Sequence, residues 1–597
     1  MAALPFRFTG DEALLAPPQA VTANATATSE LTLRAVLSGA VIGVLLAAGN
    51  VYTGLKTGFI DSGALTATLV SFTVFASVRR FGARAFTRLE NNVAQTVAAS
   101  AAVMGFVHGL MGPIPALTMM GAAYPAWALW AWGLGLGVLG VVVAAWARQR
   151  LIVEEALPFP SGAATAELLK TLHADRASAA RPMRLLLLAL TFAGLLTWLR
   201  DSPGAYLPTA VYLPILLGGI PASGLTLGLG FSPLMAATGI FVGLRGALSL
   251  FGAGVVAWAV TAPLLVQHHV VKDASYGSLV SWLVWPAFGM MLSGSVAPLV
   301  AGVRRHGRVL SRVLEDVRAL VARRAGRPAD APAAAGRPLA ALVVLAAVGL
   351  LAWTGHQAFG FSLTSTVLAV VLAVVLAGVC ARAAGETDIA PVGNVGTLAQ
   401  IAFAGGGPTT SILAGAVVAG NATETAQTMW SFKAGHNLRA SLRAQLAAQL
   451  AGVLIGSAVV VPVYLLVVRA NPLGTERMPA VAAMSWRATA QAVSGGLSHL
   501  PPYGVAAALV GMGMGLAFGL LGRGRLGRFL PSPVAVGIGL IFPVTMSATI
   551  LLGAISVTLA RRRWPGLANG DDHALAAGAL AGESLMGVLL AILASLH

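Results

Sequence analysis

A single cysteine (Cys380), four lysines and a charged fraction of only 10% are what this 597-residue chain is short of. One cysteine excludes an intrachain disulfide and a cysteine-based metal centre. Soluble domains carry roughly 25% charged residues, so this set cannot clothe such a chain in a water-facing shell. An ordinary soluble enzyme is thereby excluded. No nucleophile–base pair or HExxH zinc motif stands out, and there is no GxxxxGK[ST] loop, so neither an enzyme nor a bound cofactor is expected. No cluster of His, Cys or Met suggests a metal site.

What is present is 57% hydrophobic residues, 70 glycines and a mean hydropathy of +0.82. Apolar stretches lie near 31–48, 60–78, 92–111, 126–147, 183–199, 206–222, 231–266 and 277–303. Others lie near 339–355, 361–382, 395–420, 443–469, 500–521, 531–560 and 574–595. A crossing takes about 20 apolar residues, which gives an all-α polytopic membrane protein with about 14 to 16 transmembrane helices.

The net charge of +17 is concentrated in arginine clusters at 79–88, 148–150, 304–337, 523–528 and 561–563. Basic loops stay cytoplasmic, so the excess reads as topology and no nucleic-acid partner is expected. The segments are then a cytoplasmic tail at 1–30, a first membrane half at 31–303, an Arg-rich cytoplasmic loop at 304–338 and a second half at 339–597. No cleavable signal is evident in the tail. The arginines of the loop are suited to anionic lipid headgroups. The expected setting is a bacterial inner membrane with cytoplasmic termini, where the sequons at Asn24 and Asn421 would go unused. Self-association is compatible with the sequence. His268 and His269 fall in a polar loop and read as surface residues.

Three places resist a continuous helix. Pro531, Pro533, Gly537, Gly539 and Pro543 break the 531–560 stretch, which predicts a broken or re-entrant pair of short helices. Ala404-Gly405-Gly406-Gly407-Pro408 predicts an unwound element, and the Pro-rich 157–166 segment a second. Such backbone is tolerated in a membrane where it lines a cavity or is buried in protein.

Four short matches recur in one order. Gly49-Asn50-Val51 parallels Gly393-Asn394-Val395, and Ala94-Gln95-Thr96 after Glu90 parallels Ala426-Gln427-Thr428 after Glu424. Ala164-Thr165-Ala166-Glu167 parallels Ala488-Thr489-Ala490-Gln491. Ser232-Pro233 with Gly239-Ile240 parallels Ser532-Pro533 with Gly537-Ile538. The offset falls smoothly from 344 (49 to 393) to 300 (232 to 532). Transporter folds are often built from such repeats, with the solute site at their interface.

The stretches 49–63 (GNVYTGLKTGFIDSG), 90–101 (ENNVAQTVAASA), 157–167 (LPFPSGAATAE) and 232–243 carry a resemblance to the oligopeptide transporter family. The yellow-stripe-like metal-chelate branch is included in that likeness. Further carriers are 421–435 (NATETAQTMWSFKAG), 531–543 (PSPVAVGIGLIFP) and 581–587 (AGESLMG), so the likeness runs along nearly the whole chain. It implies a many-helix, proton-coupled importer of small peptides or metal chelates. The competing expectation is a channel or lipid-handling membrane protein without saturable solute uptake.

Within these motifs, Asn50, Tyr52, Lys56, Asn91, Gln95, Asn421, Gln427 and Lys433 are expected to contact the solute. Lys56, a compact charge in an arginine-biased chain, suits a solute carboxylate or an intramembrane acid. Two acids are candidates for the coupling proton. Glu90 opens its helix, where an acid also complements the helix dipole. Glu424 lies deeper, on a stripe with Asn421, Thr428 and Ser431 at 3-4-3 spacing. A charge at a span centre costs about 2.5–3.5 kcal/mol even on the lenient insertion scale, so a retained acid needs a reason. Lys433, nine residues on, faces the opposite side of a continuous helix and is not expected to pair with it. The expected partners are therefore a peptide or metal-chelate solute, protons and membrane lipid.

Overall fold

The computed structural model describes residues 30–58, 64, 66–68, 70–71, 86–174, 177–305, 337–494, 501–521, 530–564 and 571–595. The N-terminal tail, most of the 304–338 loop and the basic clusters at 79–85 and 523–528 fall outside this set.

The first half holds α1 (Leu33–Thr57), α2 (Arg88–Val107), α3 (Pro113–Met119), α4 (Ala126–Arg148), α5 (Pro160–Ala174) and α6 (Ala177–Asp201). After a small β-ribbon come α7 (Pro233–Val255), α8 (Ala262–Gln267) and α9 (Tyr276–Arg305). The second half has α10 (Arg337–Phe359), α11 (Leu363–Thr387), α12 (Val392–Ala402), α13 (Gly407–Asn437) and α14 (Leu442–Ala470). It ends with α15 (Val481–Ser494), α16 (Gly504–Leu521), α17 (Pro533–Ile541), α18 (Val544–Arg563) and α19 (Asp571–Ser595).

Among the described residues, 10 helices are long and apolar enough to cross a membrane, or 11 with the bent pair α12–α13. Helices α2 and α13 occupy the centre, where almost no residue of α2 beyond its first turn is exposed. Around them pack α1, α4 and α14.

Helix ends follow local chemistry. Thr32 Oγ1 accepts from Ala35 N–H at 3.3 Å to start α1, and Gly58 in the left-handed region ends it. Thr87 and Glu90 form a capping box at α2, each side chain accepting from the other's backbone N–H. The expected breaks are present. A 3-10 turn at Ala404–Gly406 precedes Gly407 (φ +86°), and α12 meets α13 at 61°. Residues Phe542 and Pro543 interrupt α17 and α18. Of the expected 157–166 element only 157–159 is non-helical, because Pro160 opens α5 and residues 160–166 form its first turns.

One expected apolar crossing is not a helix. Within 206–222, Pro208, Pro214 and Pro221 remove backbone donors and Gly218-Gly219 turns the chain. The segment instead forms β1 (Ala210–Tyr212), β2 (Leu216–Leu217) and β3 (Ile220–Pro221), with β4 (Gly228–Gly230) following. β1 pairs antiparallel with β4 and β2 with β3. The ribbon caps α18, because Thr226 accepts from the N–H groups of Val544 and Thr545 at 3.0 Å each. Tyr212 donates to Glu476 at 3.0 Å, and burial holds that carboxyl above the ordinary glutamate pKa.

The Ser-Pro motifs of the two halves are built alike. Ser232 and Ser532 are both side-chain N-caps followed by proline at the first helical position. α7 breaks at Gly243 (φ +75°), much as α17 breaks before α18. The contacts between them are reciprocal. Gly239 lies against the Ile550 carbonyl, and Gly539 against the Leu250 carbonyl, so adding or subtracting 300 turns one contact into the other. Gly239 therefore corresponds to Gly539. The sequence match had aligned it with Gly537, which rests against Ala287 and Met291 of α9 instead. Both backbones approach more closely than any β-carbon permits. Gly239→Val and Gly539→Val should each cost about 1–3 kcal/mol or more, measured as melting temperature in detergent. A near-wild-type melt for either would contradict the reciprocal contact.

Candidate functional site

Two buried polar clusters lie within the apolar bundle, and they differ in whether their groups are satisfied. The first centres on Glu583 in α19, which is fully buried. Its carboxylate accepts from Lys56 Nζ (2.9 Å), Arg200 Nη2 (3.1 Å), Ser232 Oγ (2.8 Å) and Leu234 N–H (2.9 Å). Arg200 also donates to Asp201 and to the Phe231 carbonyl. Thr53 and Ser584 share a hydrogen bond of 2.6 Å beside it. The cluster joins α1, α6, α7 and α19 with two cations against two carboxylates. Of the two roles expected for Lys56, the geometry gives it the intramembrane acid. The Tyr52 hydroxyl lies 3.5 Å from Lys56 Nζ, and the Tyr52 ring packs over Gly587.

The second cluster is built where α2, α13 and α14 meet. The expected stripe is real: Asn421, Glu424, Thr428 and Ser431 are all buried, as are Asn91, Asn92, Gln95 and Ser100 of α2. Gln445 and Gln449 close it from α14. Oε1 of Glu424 accepts from Thr428 (3.2 Å) and Ser100 (3.4 Å), whereas Oε2 has no hydrogen-bond partner. Among the described residues Glu424 makes no ion pair. Gly140 of α4 makes room for it, since a β-carbon there would lie 2.5 Å from Glu424 Cβ.

The amides around Glu424 are similarly under-used. Asn91 Nδ2, Asn92 Nδ2, Gln95 Oε1, Gln427 Nε2, Gln445 Nε2 and both polar atoms of Asn421 and Gln449 are buried without a hydrogen-bond partner. Each such group costs about 1–3 kcal/mol, so folding alone gives no reason to keep them together. The contacts that do form are sparse. Thr96 donates to the Asn92 carbonyl (2.7 Å), with Gln445 Oε1 at 3.3 Å. Ser100 shares its one proton between the Gln449 carbonyl (3.0 Å) and Glu424, and Gln95 donates to Thr96 (3.1 Å).

Other expected residues are placed elsewhere. Glu90 sits in its capping box and accepts from Arg34 at 2.7 and 2.5 Å and from Thr32 at 2.9 Å. It is therefore a paired acid at a helix start. Asn50 donates to the Ala102 carbonyl (2.9 Å), joining α1 to α2, and Asn91 Oδ1 accepts from Ser71. Lys433 donates to the Leu157 carbonyl (2.8 Å), away from Glu424 as its position on the helix predicts. That bond ties the Pro-rich segment to α13. Arg382 of α11 grips Glu155 bidentately (2.7 Å each), and this hydrogen bonding holds the Glu155 carboxyl below its ordinary pKa. His268 and His269 are exposed, and no group of three or more His, Cys, Asp or Glu among the described residues is placed to hold a metal ion.

Sequence reasoning missed the Glu583 hub and the two α14 glutamines. A signal existed for the first, because Glu583 is an acid in the middle of an apolar helix whose other acids, Asp571 and Asp572, sit in its first turn. Its cations, 527 and 383 positions away, carried none.

Apolar helices enclosing charged and amide clusters, with broken segments in their midst, define a polytopic integral membrane protein. The chain belongs to the oligopeptide transporter family: the model of the OPT oligopeptide transporter protein matches residues 30–594. Similar proteins include a "Putative oligopeptide transporter" of Saccharomyces cerevisiae, 31% identical over 25% of this chain and 23% of that one. A second "Putative oligopeptide transporter", of Haemophilus influenzae, is 27% identical over 38% of this chain and 34% of its own. A "Probable metal-nicotianamine transporter" of Oryza sativa subsp. japonica is 24% identical over 46% and 44%. The chain thus matches less than half the length of each relative.

Removing Glu583 strands the buried Lys56 and leaves Arg200 with Asp201 as its one carboxylate among the described residues. Glu583→Ala should cost about 3–5 kcal/mol of stability, whereas Glu424→Gln, which removes no ion pair, should melt close to wild type. Equal losses in detergent melts would contradict the division into satisfied and unsatisfied clusters.

Proposed function

We propose that this protein is a secondary active transporter that carries small peptides or peptide-like metal chelates into the cytoplasm together with protons. Membership of the family and the printed names of the relatives support the solute class. One observation supports proton coupling: a fully buried carboxyl, Glu424, with one oxygen unbonded and no ion pair among the described residues. Desolvation penalises its ionised form, so a proton is the natural counter-charge, and losing that proton demands a change of surroundings. Coupling of this kind links protonation to conformation. Glu90, held by Arg34 and its capping box, is not assigned that role here.

The amides of Asn91, Gln95, Asn421, Gln427, Gln445 and Gln449 are the groups we assign to the solute's peptide-like donors and acceptors. Breaks at Gly405–Gly407, at Phe542–Pro543 and at Gly243 supply flexible backbone of the sort that lines transporter sites. The halves 31–303 and 339–597 would move against one another about that region.

Reconstituted protein should accumulate trialanine or a nickel–nicotianamine chelate saturably, and faster with the outside acidic. Glu424→Gln should abolish the gradient-driven part while leaving solute exchange. Non-saturating uptake, or a wild type indifferent to the imposed gradient, would overturn the proposal.

A further inference from the structure

The described part of helix α15 is 14 residues long, about 21 Å at 1.5 Å per residue, shorter than a hydrocarbon core of about 30 Å. It is nevertheless inside the protein. It packs against α1, α3, α9, α12 and α13, and its entry is pinned by Ala480 N–H donating to the Leu55 carbonyl at 3.1 Å. Trp486 fixes its rotation. A β-carbon at Gly415 would lie 2.6 Å from the indole, and one at Gly396 or Gly112 would lie 2.9 Å from it. One indole is therefore seated against three backbones, of which the one at Gly415 belongs to the helix that bears Glu424.

With the helix so held, Arg487, Gln491 and Ser494 follow 4-3 spacing and share one face. None is exposed, and none has a hydrogen bond or ion pair among the described residues. Ser494 Oγ is buried without a partner. The matching helix α5 carries an exposed ion pair at two of these positions. At an offset of 324 (164 to 488), Gln491 and Ser494 correspond to Glu167 and Lys170, which are paired with each other at 3.2 Å, and Arg487 corresponds to Ala163. Arg200 and Arg382, the two most buried of the described arginines, are by contrast held by carboxylates.

A half-buried guanidinium with no carboxylate partner among the described residues, and with a hydroxyl and an amide on the same helix face, suits a planar anion, because its fork matches a carboxylate bidentately. We propose that Arg487, aided by Gln491 and Ser494, receives the carboxylate of the transported peptide or chelate. This rests on the solute class proposed above and adds a fixed anionic end to it. Glu424 lies nine residues beyond Gly415, about 14 Å along α13, which leaves the amide cluster for the rest of the solute.

The test is thermal unfolding of the full chain in nanodiscs, with tri-, tetra- and pentaalanine as free acids and as C-terminal amides, and with nickel–nicotianamine. Wild type should be stabilised by free acids and not by amides. Arg487→Gln should raise the concentration of acid needed by about 10- to 100-fold, as expected for a lost charge-assisted bond, and Arg487→Lys should fall between. Without solute, Arg487→Gln should melt no lower than wild type, since no protein partner is lost.

Equal response to acid and amide, or an acid preference retained in Arg487→Gln, would overturn the assignment while leaving the transporter reading intact. A shift seen on replacing phosphatidylcholine by phosphatidylglycerol, lost in Arg487→Gln and without any acid preference, would give the site to a lipid phosphate and overturn it too. Failure of every probe to stabilise wild type would sink the solute class itself.

Discussion

Charge is expensive in an apolar bundle, and this protein deals with that cost in two ways. At Glu583 the cost is met within the fold, by two cations, a hydroxyl and a backbone N–H drawn from α1, α6 and α7. Removing one partner from such a pair is far more damaging than the pair is stabilising, so the four helices are held in register. At Glu424 the described residues supply two hydroxyls and no cation. The two arrangements differ in consequence, since only the second leaves a buried carboxyl oxygen without a partner.

Packing elsewhere is consistent with a rigid frame around a movable centre. The reciprocal approach of Gly239 to α18 and Gly539 to α7 joins two similar elements across a local two-fold relation. Each contains a break, at Gly243 or at Phe542–Pro543. The close contacts flank each break: Gly239 and Leu250 lie on either side of Gly243, and Gly539 and Ile550 on either side of Phe542–Pro543.

How much was legible in the sequence follows from how local each cause is. Breaks at 404–408 and 531–543 were readable because glycine and proline act within one helical turn. The 421–431 stripe was readable from its 3-4-3 spacing, and Lys433 was placed away from Glu424 by the same arithmetic. Glu90 was ambiguous because a helix-start acid suits both roles, and the deciding group, Arg34, lies 56 residues away. The 206–222 stretch read as apolar although its prolines and glycines argued for a ribbon. Glu583 and Arg487 were missed for opposite reasons. The first owes its setting to residues hundreds of positions distant. The second is distinguished by lacking partners, which no single sequence displays.

The central claim is that Glu424 carries an exchangeable proton, and infrared difference spectroscopy reads that proton directly. Wild-type protein near neutral pH should show the carbonyl band of a buried, protonated carboxylic acid, absent in Glu424→Gln and shifted when solute is added. A wild-type spectrum that matches Glu424→Gln in that region would show the carboxyl to be already ionised, and would contradict the account.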